Sequence, residues 1–97
     1  VPHVDATAPG RLAMVHYLAA EELGGTAFYR HRSTGFETIN EARAHAYFAA
    51  LARETAVHPP HGYIAGDTPL FERIDAVAAR FNRAVFYRSH LLHCGTV

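Results

Sequence analysis

The sequence predicts a mainly β domain, a sandwich or barrel of short strands interrupted by one inserted helix. Three observations carry that expectation. Short apolar, β-branched and aromatic runs recur between turn residues on both flanks of the chain. The middle switches to helical spacing behind a capping signal and stops at Pro59-Pro60. Residues 83–88 (RAVFYR) form the clearest strand, rich in β-branched and aromatic side chains.

The elements follow in order. Val1-Pro2-His3-Val4-Asp5 is short and extended and runs into a turn-rich stretch ending at Gly10. Residues 11–18 (RLAMVHYL) read as a buried strand. Glu21 to Gly25 is a loop whose two glycines punctuate a new strand over residues 26–30, and Ser33-Thr34-Gly35 is a turn. Thr38-Ile39-Asn40-Glu41 fits a capping box, in which the threonine hydroxyl accepts from a first-turn amide while the glutamate reaches back. A helix is expected over about residues 39–56, with Ala44, Tyr47, Phe48 and Leu51 on one face. Tyr63-Ile64-Ala65 suggests a short strand. Residues 71–79 lean to strand over helix because Phe71, Arg73, Asp75 and Val77 alternate. Arg80-Phe81-Asn82 is a turn in which the asparagine can take a positive φ, and residues 91–97 form the last strand.

Composition narrows the function. With 97 residues the chain is one small domain or part of one, and 49% hydrophobic with 19% charged residues argues against disorder. Nine arginines balance nine acids, which argues against a basic nucleic-acid footprint and against a membrane-attracting face. No apolar run is long enough to span a bilayer. The single cysteine, Cys94, excludes an internal disulfide and a zinc site of paired cysteines; it fits a reducing, cytoplasmic setting. Abundant alanine and the absence of lysine suit a GC-rich bacterial genome. Eight histidines are the more informative anomaly, because imidazole is the commonest metal ligand.

His3 and Asp5 are two apart, so on an extended segment their side chains share a face and can hold one ion. His90 and His93 are three apart and point oppositely on a strand, so only one can join that pair, and His93 lies deeper in the last strand. Two histidines and a carboxylate make the facial triad of non-haem Fe(II) oxygenases, though zinc accepts the same ligands. The other candidates have plainer readings. His16 is packed or solvated, His31 sits in an exposed loop between Arg30 and Arg32, and His45 belongs near the polar helix face. His58 and His61 flank a solvated Pro59-Pro60 turn. Cys94 and His93 are adjacent on a strand and form no dyad, nor do Ser89 and His90. Phe81, Phe86 and Tyr87 read as core aromatics.

The chain also resembles a known superfamily. His3-Val4-Asp5, Pro9-Gly10, Met14 to Tyr17-Leu18, Gly24-Gly25 and Phe28 resemble one end of the double-stranded β-helix of 2-oxoglutarate/Fe(II)-dependent dioxygenases, in their prolyl 4-hydroxylase-like branch. Residues 80–87 (RFNRAVFY) and Leu91-Leu92-His93-Cys94-Gly95 resemble the closing strands around the distal histidine. The likeness covers both flanks but not residues 36–66. It implies a jelly-roll, cupin-like fold lacking its first and last core strands, with a sheet edge left open to oligomer contacts. It further implies Fe(II) held by the catalytic residues His3, Asp5 and His93, and 2-oxoglutarate as cosubstrate with its tail on Tyr17. The oxidised substrate would be a small molecule or a peptidyl residue. Two other readings stay open: a non-catalytic jelly-roll binding module, and a cosubstrate-independent cupin metalloenzyme.

Overall fold

The structure, a computed structural model, describes residues 2–7, 10–18, 24–59 and 66–95. Among these the chain forms β1 (Leu12–His16), β2 (Gly25–His31), α1 (Glu41–Val57), β3 (Phe71–Ala78), β4 (Ala84–Arg88) and β5 (His93–Gly95). The domain is mainly β with one helix, as the sequence predicts. β1 and β4 make one antiparallel sheet, and the other has the antiparallel order β3-β2-β5. The expected Tyr63-Ile64-Ala65 strand, and His61, lie outside the described residues. No helix among the described residues is long and apolar enough to cross a membrane.

The pairings are nested. β2 pairs with β3, the flanking β1 pairs with β4, and outermost His3 bridges His93. The chain is thus one long antiparallel ribbon whose successive pairs alternate between two sheets. β2 also meets β5, so the outermost pair joins the three-stranded sheet. Turn chemistry supports the winding. Gly24 takes φ +88°, and a Cβ at Gly25 would sit 2.0 Å from the Val77 carbonyl oxygen, so only glycine allows this approach to β3. Asn82 takes φ +65° in the β3–β4 turn, as expected there.

The helix starts later than the capping box predicts. Thr38 bridges Leu91, and the Ile39 N–H donates to the His90 carbonyl at 2.8 Å, so this stretch stays extended. Asn40 is the cap instead, its side chain accepting from the Arg43 N–H at 2.9 Å. Thr38 Oγ1 accepts from the Arg43 guanidinium at 3.2 Å.

The apolar core lies between α1 and one face of the three-stranded sheet, built from Ala27, Tyr29, Ile39, Tyr47, Phe71, Leu92 and Cys94. That placement corrects several expectations. Phe48 lies off the buried helix face and is exposed. The strand over residues 11–18 is not buried, since Leu12, Met14 and Leu18 are exposed on the outer side of the β1–β4 sheet. Phe86 shares that outer side, and Phe81 is exposed in the turn, so of the three aromatics only Tyr87 points inward and is buried. His31 is wholly buried rather than in an exposed loop. Its Nε2 donates to Glu54 Oε1 at 2.7 Å, and Nδ1 pairs with Thr34 Oγ1 at 2.8 Å. Ser33 also donates to the Glu54 carboxylate. Burial alone would push the Glu54 carboxyl up, but the hydrogen bonds from Ser33 and His31 outweigh it and hold it below its ordinary value. The cluster fastens α1 to β2.

Candidate metal centre

The segment before β1 alternates as a strand does. Pro2 is buried and Val4 packs on the core, so His3 and Asp5 fall on the opposite side. The Tyr47 hydroxyl donates to the Pro2 carbonyl at 3.3 Å, tying this segment to the helix. Backbone bonds fix its register: His3 N–H to the His93 carbonyl at 2.8 Å, the reverse bond at 2.9 Å, and Asp5 N–H to the Ser89 carbonyl at 2.9 Å. On β5, Leu92 and Cys94 enter the core, so His93 faces the other way.

These alternations bring His3, Asp5 and His93 together, with one ligand atom from each inside a 4.8 Å span. His93 Nε2 lies 3.5 Å from Asp5 Oδ1, and His3 Nε2 lies 3.9 Å from the same oxygen. Metal–donor bonds of about 2.0–2.2 Å put neighbouring donors roughly 3–3.5 Å apart, so small side-chain movements suffice to close on one ion. The His93 side chain is 6% exposed, against 59% for His3 and 44% for Asp5, so the site opens to solvent on the His3 side. The group is rooted at one ligand and accessible at two.

The donor set suits a metal in one further respect. His93 Nδ1 contacts the Leu91 carbonyl oxygen at 2.8 Å. A carbonyl only accepts, so Nδ1 carries a proton, and in the neutral ring Nε2, which faces Asp5, is the nitrogen able to bind a metal. Aromatic rings hold that imidazole in place: the Tyr87 ring lies 4.7 Å from it, His3 4.5 Å and Phe28 6.4 Å, centroid to centroid.

Tyr87, read from the sequence as a core aromatic, is buried beside the group. It alternates inward with Val85, and its ring lies against those of Phe28 and His93. Burial pushes its pKa up to about 12, with the nearby Asp5 charge and Tyr17 adding to it. The phenol therefore stays a donor at neutral pH. Alternation along β4 was the available signal for its inward aim. Its nearness to Asp5 depends on the pairing of residue 5 with residue 89, which no local pattern carries.

Tyr17 stands beside the triad rather than in it. Its hydroxyl lies 2.5 Å from Thr26 Oγ1, and Thr26 is two residues along β2 from Phe28, the register partner of His93. The other described histidines stay apart from the group. His16 meets Asn82 Oδ1 at 2.8 Å, while His45 and His58 are exposed. His90 lies outside the cluster, and its buried Nδ1 has no hydrogen-bond partner among the described residues. Cys94 hydrogen-bonds Tyr29 on the far face of the sheet, so it forms no dyad with His93.

No curated protein matches the sequence. No solved structure matches it either. A family model does match, over residues 1–97, and its description is a family of unknown function. On that match the chain belongs to DUF6445, a family of unknown function.

Proposed function

We propose that this chain carries the metal centre of a double-stranded β-helix oxygenase dependent on Fe(II) and 2-oxoglutarate, performing a hydroxylase-type oxidation of a small molecule or a peptidyl residue. The observation that carries the proposal is the meeting of His3, Asp5 and His93 on one sheet face, with His93 Nε2 freed by the Leu91 carbonyl. The nested ribbon supports it, because a long hairpin wound into two facing sheets is how a jelly roll is built. The setting of such an enzyme would be the bacterial cytoplasm.

In this reading His3 Nε2, Asp5 Oδ1 and His93 Nε2 would hold the iron. When bound, iron with 2-oxoglutarate supplies oxidation of a C–H bond by dioxygen, with the cosubstrate decarboxylated to succinate. The chain's own residues prepare the site. Two neutral imidazoles and one carboxylate leave a divalent ion with net positive charge, which favours an anionic chelator, and they leave coordination positions open. The Leu91 carbonyl keeps the His93 proton on Nδ1, away from the ion. Phe28 and Tyr87, edge to face at 5.3 Å, wall the buried side of the group and exclude water from His93. Tyr17 and Thr26 offer two hydroxyls beside the triad, suited to a carboxylate tail.

The test is an anaerobic Fe(II) titration with and without 2-oxoglutarate, followed by visible absorption. A metal-to-ligand charge-transfer band that needs both components is the expected result. Iron binding without the band would instead favour a cosubstrate-independent cupin metalloenzyme. Failure to bind iron would leave a non-catalytic jelly-roll module.

A further inference from the structure

We infer that the outer face of the β1–β4 sheet is a docking surface for an anionic lipid membrane, which it meets with exposed apolar side chains rimmed by arginine. The inference is independent of the metal centre, which the inner side of the same sheet faces through Tyr87.

Leu12 and Met14 alternate outward along β1, and Phe86 and Arg88 along β4. The register sets Met14 opposite Phe86 and Leu12 opposite Arg88, so the four form one contiguous group. Leu12 is 66% exposed, Met14 54% and Phe86 69%, so nothing among the described residues covers them. Phe81 is 71% exposed in the turn that leads into β4. Single apolar residues on a surface are ordinary, but a contiguous patch marks a contact surface. Charge selects the occupant. The chain as a whole is neutral, yet residues 10–18 and 79–89 hold four arginines and no aspartate or glutamate. Arg11 and Arg88 are exposed at the Leu12 end of the sheet, and neither pairs with a carboxylate among the described residues. A second copy of the chain would set these arginines against an identical face without acids. A nucleic acid would stack its bases on aromatic rings, whereas Phe86 is the one phenyl ring on the outer side of the two strands. Lipid answers both features. Acyl chains take up apolar side chains without hydrogen bonds, and headgroup phosphates accept paired N–H bonds from guanidinium. The overall neutrality that argues against a membrane-attracting face thus averages over unlike sides of the molecule.

The test is co-sedimentation of the protein with vesicles of phosphatidylcholine alone, and of phosphatidylcholine with an equal part of phosphatidylglycerol. Wild type is compared with Phe86→Ser, Arg88→Gln and Phe48→Ser. Each substitution falls at an exposed position, so the fold is kept, and Phe48 supplies an exposed phenylalanine on α1 as the control. The wild type should bind the mixed vesicles at least about 10-fold more tightly than phosphatidylcholine alone. Arg88→Gln should bind them about 5-fold more weakly, Phe86→Ser more weakly still, and Phe48→Ser as the wild type does. Salt at about 1 M, where the Debye length is about 3 Å, should erase the preference for phosphatidylglycerol. No binding to either vesicle, equal binding to both, or equal losses in Phe86→Ser and Phe48→Ser would overturn the inference. Sedimentation velocity without lipid adds a second check. A wild-type dimer that Phe86→Ser dissociates would also overturn the inference, because it would assign the face to a second copy of the chain.

Discussion

The two faces of the β3-β2-β5 sheet are built from alternate residues of the same strands, yet they differ in almost every physical respect. On one face Ala27, Tyr29, Leu92 and Cys94 are sealed under Ile39 and Tyr47. On the other, Thr26, Phe28 and His93 look towards Tyr17 and Tyr87 of the second sheet, across a space that admits solvent on its His3 side. Each face holds one buried histidine, and the pair is instructive. Both ring nitrogens of His31 are committed, to Thr34 and Glu54, so that imidazole is a structural tie. Only Nδ1 of His93 is committed to the protein's frame, and Nε2 is left aimed at a carboxylate. Burial alone does not distinguish these two histidines; the number of committed ring nitrogens does.

Substitutions can sharpen this contrast. The largest loss of stability should come from the sealed face. Tyr47→Ala removes a buried ring and the bond to Pro2, and should cost about 3–5 kcal/mol in urea denaturation, a large part of what a small domain has. Glu54→Gln should cost less, about 1–2 kcal/mol at neutral pH, because it weakens the partner of the buried His31. Its pH dependence has a defined sign. The Glu54 carboxyl is held low in the folded protein, so its stabilisation is fully present above the ordinary glutamate value of about 4.3. That stabilisation fades as pH falls through the lower folded value, so wild type and variant should converge in strong acid.

Smaller still is the helix cap. Asn40→Ala should cost about 1 kcal/mol, and Thr38→Ala measurably less, by thermal melts of both variants. The opposite order would restore the capping box. On the open face Asp5→Ala should change stability by no more than about 0.5 kcal/mol, since the side chain is partly exposed and packs little.

Much of the architecture was legible along the chain. Alternation placed residues 71–79 as a strand, and a β-branched, aromatic run marked residues 83–88; both match β3 and β4 closely. His3 and Asp5 could be set on one face because strand periodicity is local, and the same rule separated His93 from Cys94. What failed depended on distant partners. His31 looked exposed between two arginines, but its partner Glu54 lies 23 residues on, in the helix. Thr38 and Asn40 are both good caps, and a bridge to Leu91 decided between them. Leu12, Met14 and Phe86 looked like core because they are apolar, whereas the core formed on the other sheet, where the helix lands.

The account turns on three side chains acting as one ligand set. An anaerobic Fe(II) binding titration of the wild type, Asp5→Ala and His90→Ala tests it most directly. One bound equivalent in the wild type and in His90→Ala, with none in Asp5→Ala, is the predicted result. Asp5→Ala and His90→Ala behaving alike would contradict it.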